Sequence, residues 1–400
     1  MVRVPINDGT HTIMSLSANS LPVGANARSG GRDAARGAAT PALRKTLLGP
    51  EAWDRAIADF DGVCQEQLYA YASTRWPGLT LEPVLFSHEN GPVGGALVML
   101  QRLPLGLATI ALVKWGPFLA DNTRPDADTV MDGMVEALIA EYADKRGMMV
   151  SIMPKVEPTD DNARLAALLA RGFTPGVGVK FPKRYVVDVR LDDDARLAAF
   201  AQKWRYHLRK SFKAGLGFEE GGADELERFM VLYKAMSDRK QFPDYSAIDS
   251  VDALMAMPDG TARPEMFFVT HEGETVAGAM IFTAGDTATY LYGATNDAAL
   301  DLRAGYFLHW NIIRWLRDNT RAKLYDLGGT DGFQGLHQFK SGMVGSAGYM
   351  ADLPPVANYA TSMRARLFGT LAYEARSKAT RTRDSINAAR LALMRRLRRA

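Results

Sequence analysis

The sequence predicts an α/β (α+β) protein built as two similar lobes, and three observations carry that expectation. Its 400 residues are 47% hydrophobic, enough for two cores where single domains commonly hold about 100 to 200 residues. One order of elements, β-β-β-α-β, can be read twice along the chain. Between the two copies lies a stretch of helical period with a basic face.

In the first copy, 81–86 reads as a strand, Asn90-Gly91 as a turn, and 93–100 and 108–115 as two more strands. Val130, Met134, Ala137, Leu138 and Tyr142 recur at helical spacing, which predicts a helix over 126–146 stopped by Gly147. A buried strand over 148–153, a helix over 161–170 ending at Gly172-Phe173, and an extended segment over 184–189 complete that copy. In the second copy, 266–270 is a strand, Glu272-Gly273 a turn, 275–283 and 287–294 two strands, 305–319 a helix and 323–327 a buried strand. Phe307, Leu308, Trp310, Ile312, Ile313, Trp315 and Leu316 surround that helix on most sides, as suits an element covered on both faces.

Between the copies, Leu197, Phe200, Trp204, Leu208 and Phe212 fall on one face of a single helix expected over 195–214. Lys203, Arg209, Lys210 and Lys213 lie opposite, with Arg205 at the border. The expected organisation is a disordered segment over 1–45, a first lobe over 46–190, a second over 191–353, and a basic, helical tail over 354–400.

Composition narrows the function. Cys64 is the sole cysteine, so no intrachain disulfide forms and a reducing compartment is expected. The longest apolar run, 103–113, is about half the ~20 residues of a membrane-spanning helix, and 1–45 has no apolar stretch of secretory-signal length. Net charge is +3, yet residues 355–400 hold eleven bases against two acids and 1–45 six against two. An acidic body therefore wears basic ends, which argues against a nucleic-acid-binding core and for anionic contacts made by the tails or a local patch. The six histidines are scattered with no metal-binding spacing, so no metal is expected.

Chemistry is expected near Tyr325-Asp326-Leu327-Gly328-Gly329, which leads through Thr330-Asp331-Gly332-Phe333-Gln334 into Gly335-Leu336-His337-Gln338-Phe339-Lys340-Ser341-Gly342. This run places Lys340 on a turn just beyond a buried strand. It resembles the signature of the FemABX family, in which Tyr-Asp, a Gly-containing loop and Gly-Leu-x-x-Phe-Lys-x-Gly follow in order. The element order likewise resembles the GNAT acyltransferase fold, and a tandem pair of GNAT-like domains is that family's architecture. Trp204 to Gly215 is similar to its basic helix, Trp53-Asp54 with Gln65 to Tyr71 loosely to its opening, and Lys114-Trp115-Gly116-Pro117 to the end of its third strand. His337-Gln338 and Met343-Val344-Gly345 depart from its pattern, and its helical-hairpin arm is missing for want of sustained heptads.

The resemblance implies an aminoacyltransferase that moves an amino acid from aminoacyl-tRNA to an amine of a nucleotide- or lipid-linked peptidoglycan precursor, with no cofactor. Its catalytic residues would be Lys340, stabilising the oxyanion or leaving group, Phe339, shaping the site, and Asp326, orienting or deprotonating the amine. Arg205, Arg209 and Lys210 would hold phosphate, with Tyr325 and Arg303 also binding substrate. The plain alternatives are a solvated lysine beside a core phenylalanine, turn-capping carboxylates at Asp326 and Asp331, and a solvated basic helix face. An acyl-CoA-dependent N-acyltransferase acting on a sugar or other cell-envelope amine is the rival enzyme, although Arg303-Ala304-Gly305 offers one glycine where a CoA-binding loop has several. A worn-out transferase fold that only binds membrane or nucleic acid is the rival outside enzymes. The chain is expected in the cytoplasm, with residues 355–400 touching the anionic inner face of the cell membrane.

Overall fold

The computed structural model describes residues 43–159, 161–178, 181–240, 248–258 and 262–397. Most of the expected disordered segment lies outside those residues. Its last two residues do not fit the expectation, because Arg44–Leu47 (β1) pairs antiparallel along the edge of the first sheet.

The remaining strands are, in chain order, Thr80–His88 (β2), Gly91–Arg102 (β3), Thr109–Lys114 (β4), Phe118–Leu119 (β5), Met149–Met153 (β6), Thr174–Pro175 (β7), Lys183–Asp188 (β8), Leu216–Gly221 (β9), Glu265–His271 (β10), Glu274–Phe282 (β11), Thr287–Thr295 (β12), Leu324–Asp326 (β13), Tyr349–Asp352 (β14) and Ala357–Tyr359 (β15). They form two sheets, β1-β2-β3-β4-β6-β15-β7 with β5 on β3, and β14-β8-β13-β12-β11-β10-β9. Each sheet holds one parallel pair, β4 with β6 and β12 with β13. Parallel neighbours need a long crossover, and Ala127–Leu138 with its continuation Ile139–Lys145 supplies one while Ala304–Asn319 supplies the other.

Two strands cross the expected lobe boundaries. β8, expected in the first lobe, lies between β13 and β14 of the second sheet. Its Tyr185, Val186 and Val187 are all buried, as a central strand covered on both faces requires. β15, expected in the tail, sits between β6 and β7 of the first sheet, where Ser151 Oγ donates to Asn358 Oδ1 at 2.7 Å. The chain thus passes from lobe to lobe and back, tying the two sheets together.

A separate apolar cluster joins the lobes, with Trp53, Ile57, Leu68 and Phe118 from the first packed with Leu254 and Phe282 from the second. Polar contacts flank it: Arg321 donates to Asp61 Oδ1 and to the Phe60 carbonyl, both at 2.9 Å, and Asn122 Nδ2 donates to Asp286 Oδ2 at 2.8 Å.

The basic segment differs from its expected form, because two helices, Asp193–Ala199 and Gln202–Ser211, replace one. Phe200 and Ala201 are extended between them, and Ala201 N–H donates to the Gly342 carbonyl at 3.0 Å. Asp192 caps the first helix by accepting from Ala195 N–H at 2.8 Å. The break lets Phe200 and Trp204 pack ring to ring at 4.2 Å between centroids.

The glycines of the closing motif explain this docking. At Gly342 a Cβ would lie 3.1 Å from Trp204 Cδ1, and at Gly345 it would collide with the Ala199 carbonyl at a φ of 59°. Gly345→Ala is therefore expected to cost about 2 kcal/mol or more, from the left-handed backbone and the forced separation of the two segments together. Urea denaturation of the purified protein checks it.

Candidate active site

Strand β12 keeps β13 as a neighbour only over Thr287 to Thr289, opposite Leu324 to Asp326. Beyond that register the two strands part, and the side chains singled out by the sequence gather around the opening. Lys340 lies not on a turn but inside the helix Gln334–Val344, with only 8% of its surface exposed. Burying an ammonium is costly unless it is paired or hydrogen-bonded. Here Nζ donates to the carbonyls of Leu327 and Gly329, each at 2.6 Å, and sits 5.7 Å from the Tyr290 ring centre. The lysine is thereby fixed beneath the loop that follows β13, whose Gly328 has a φ of 74°.

Around this cation is an aromatic and imidazole cluster. Phe339 packs on Tyr306, His309 and Trp204 with ring centres 5.0, 5.5 and 6.1 Å apart. Tyr325 is fully buried and its hydroxyl meets His309 Nδ1 at 3.2 Å. Burial, together with the nearby Lys340 charge, drives His309 down to about 3, so its imidazole is neutral at any physiological pH. Burial also pushes the Tyr290 hydroxyl up to about 12. A second pair, Tyr185 hydroxyl with His337 Nδ1 at 2.6 Å, ties β8 to the lysine-bearing helix.

Asp326 is held in an ion pair. Its Oδ2 receives Arg184 Nη2 at 2.7 Å and Nε at 3.1 Å, while its Oδ1 receives the Gly328 N–H at 2.8 Å. These bonds tie Asp326 to its own loop and to β8. Arg184 also lies over Trp115, 5.8 Å from the ring centre. Trp115 in turn abuts Lys114, which is ion-paired with Glu66 and lies 4.9 Å from the Trp76 ring centre. A buried line of charges and indoles therefore runs from the first lobe into the Asp326 loop. Lys114-Trp115 is more than a strand terminus, although Arg184 and Asp326 are 142 residues apart and no local spacing announces their pairing.

The phosphate-binding candidates divide. Arg205 folds back so that Nη1 donates to the Ala198 and Phe200 carbonyls, capping the helix Asp193–Ala199. Arg209 and Lys210 are exposed, with Lys210 over the Tyr206 ring at 5.3 Å. Arg303 takes a left-handed conformation, φ 58°, at the start of the helix Ala304–Asn319, and Nη1 donates to the Leu300 carbonyl at 2.9 Å. Arg303 Nε, His207 Nδ1 and Trp204 Nε1 are buried atoms with no hydrogen-bond partner among the described residues. His207 is held below its ordinary range by burial and by the Arg303, Lys203 and Lys210 charges.

An open cleft of about 170 Å³ lies where the C-terminal ends of β4 and β6 meet the second lobe, lined by Trp115, Pro117, Lys155, Arg164, Arg171 and Asp286 among others. Lys340 is not on its wall. Trp115 is on that wall, and the Arg184–Asp326 pair links it to the lysine loop.

Comparison with known proteins bears on this arrangement. The family described as "Acetyltransferase (GNAT) domain" matches residues 192–341. The lipid II:glycine glycyltransferase of Staphylococcus saprophyticus is 21% identical over 338 residues, covering 66% of this chain and 79% of the relative. That of Staphylococcus aureus is 22% identical over 344 residues, with the same coverage. The crystal structure of FemX superposes with a TM-score of 0.64 at 19% identity, covering 82% of this chain and all of that one.

The chain is similar to FemABX proteins in sequence and in fold.

Both lobes are involved in that relationship, since FemX is matched from end to end. The matched GNAT segment begins at Asp192, the cap of the helix Asp193–Ala199, and ends beside Lys340, so it contains Asp326, Phe339 and Lys340 together with the strand pair that parts around them. Arg184 and Trp115 lie outside that segment.

Proposed function

We propose that this protein, like the FemABX proteins it resembles, transfers an amino acid from an aminoacyl-tRNA to an amine of a peptidoglycan precursor, the lipid-linked form included, and that it does so on the cytoplasmic face of the cell membrane. One observation carries the reading: a lysine ammonium held in a buried, carbonyl-lined seat at the point where the parallel strands of a GNAT lobe part. The acceptor amine would attack the carbonyl carbon of the aminoacyl ester. A C–N bond forms, the oxygen becomes negative, and the ester C–O bond then breaks to release the tRNA hydroxyl. A fixed positive charge stabilises the oxygen most when its charge is greatest, and a seat closed to water keeps that field strong.

The names of the glycyltransferase relatives support the acceptor class, since lipid II carries the precursor in those proteins. Arg209, Lys210 and Arg303 would meet donor phosphates on the exposed side of the basic helix. Asp326 and Arg184 would hold the loop, and the nucleophile's proton would leave by way of the substrate or solvent.

The test is reconstitution. Purified protein, charged tRNA and lipid II are expected to give an acceptor heavier by one aminoacyl residue, and ribonuclease treatment is expected to abolish the product. Transfer from an acyl-CoA with no RNA present would instead establish the CoA-dependent reading. An unchanged muropeptide profile on deletion of the gene would overturn the precursor as acceptor.

A further inference from the structure

Apolar side chains from two distant parts of the chain are left in solvent on one corner of the first lobe. The tip Pro104-Leu105-Gly106 projects between β3 and β4, and Leu105 is 95% exposed at a φ of 56°. The helix Met363–Leu397 starts beside it, because Arg364 Nη2 donates to the Gly106 carbonyl at 2.7 Å. On this helix Ala365, Gly369, Tyr373 and Ser377 face the protein, and a Cβ at Gly369 would press into Met149. On its outer side Met363, Leu367 and Leu371 are 82%, 57% and 48% exposed, one helical turn apart. Among the described side chains these four, with the exposed Pro104, leave apolar surface in solvent at this corner of the fold.

Charge decides what covers it. From 363 to 378 the sequence has Arg364, Arg366, Arg376 and Lys378 against a single acid, Glu374, and residues 355–400 hold eleven bases against two acids. An apolar stripe flanked by cations is complementary to an interface that is greasy beneath and anionic above. A protein partner would be expected to bring pairing carboxylates, and RNA gains nothing from leucines at an exposed tip. No described helix is long and apolar enough to cross a membrane, so contact at this edge would lie in the surface plane.

We propose that the Leu105 tip and the Met363–Leu371 face of the C-terminal helix form a docking surface for an anionic phospholipid bilayer. The surface deepens the reading given above, which places the acceptor on a lipid. Beneath the docking helix the packed residues form one cluster with Cys64, Met149, Met153 and Trp115, and Trp115 lines the cleft between the lobes.

Sedimentation of the full-length protein with vesicles tests the surface with no turnover required, so its failure is distinct from failure of the catalytic reading. Binding is expected to vesicles containing phosphatidylglycerol, to weaken with added salt, and to be slight with phosphatidylcholine alone. Replacing Leu105, Met363, Leu367 and Leu371 by serine should lower partitioning roughly a hundredfold, and Arg366→Gln with Lys378→Gln roughly tenfold, while the melting temperature and circular dichroism stay those of the parent. Should the fourfold variant fold poorly, Met363→Glu alone changes a position that is 82% exposed and is expected to weaken binding by itself. Wild-type protein that ignores anionic vesicles, serine variants that bind them undiminished, or binding to tRNA but not to vesicles would each overturn the proposal.

Discussion

Replacing Lys340 by methionine is expected to lower kcat for aminoacyl transfer by about a hundredfold or more, with a smaller change in KM. Methionine keeps length and flexibility while removing the charge, so what is lost is the field at the reacting oxygen, commonly worth ~3 kcal/mol or more when a preorganised donor is deleted. A second loss accompanies it. The carbonyls of Leu327 and Gly329 would each lose a donor, and the Leu327 residue is buried, so stability is expected to fall by about 1 to 3 kcal/mol. The two effects separate when kcat is measured well below the new melting temperature. Near-normal turnover in folded Lys340→Met protein would remove the lysine from the chemistry and leave it as a loop anchor.

The same substitution has a titration signature. His309 is neutral in the fold because burial and then the Lys340 charge hold it near 3, against an ordinary value of 6.5. The unfolded chain binds this proton first, so stability is complete above about pH 6.5 and is lost as pH falls toward the folded value. Between pH 6.5 and 5 the loss is about 2 kcal/mol for one such group. Without the Lys340 charge the imidazole should titrate higher, narrowing the window and flattening the acid limb of the stability curve. Denaturation midpoints from neutral pH down toward the folded value of about 3, with the His309 ring followed by NMR, read both outcomes.

Much of the architecture was legible because hydrophobic period and turn residues are local. The expected helix at 305–319 appears as Ala304–Asn319, and the expected strands at 275–283 and 287–294 as β11 and β12. Lys340 and Phe339 stood out through the motif around them. The failures were of two physical kinds. Local pattern cannot say which sheet a strand will join, so β8 was placed in the wrong lobe although it reads as extended, and β15, only three residues long, was taken into the helical tail. Nor can periodicity see a helix broken by a distant partner: 195–214 reads as one amphipathic helix, yet the Gly342 carbonyl claims the Ala201 N–H and Arg205 caps the carbonyls before it. The Asp326–Arg184 pair was hidden for the same reason, since Arg184 sits far away in sequence. What bonds a side chain makes is a tertiary fact.

That pairing supplies the second large effect. Asp326→Asn and Arg184→Met, made singly, are each expected to destabilise the protein by about 3 to 5 kcal/mol, because each leaves the partner's charge in a site where both side chains are nearly closed to solvent, at 14% and 13% exposure. Made together they should recover most of the loss, since a buried ion pair replaced as a unit is often close to neutral. Asparagine at 326 still offers an oxygen to the Gly328 N–H and so keeps the turn that seats Lys340. If Asp326 only positions that loop, the doubly substituted enzyme should regain its fold and turn over within about tenfold of the parent, a loss small beside the 10²–10⁴-fold that general acid–base catalysis contributes. A general base behaves otherwise. Its removal would leave a stable protein with kcat down by about a thousandfold and with its pH dependence changed, and that result would return Asp326 to the chemistry.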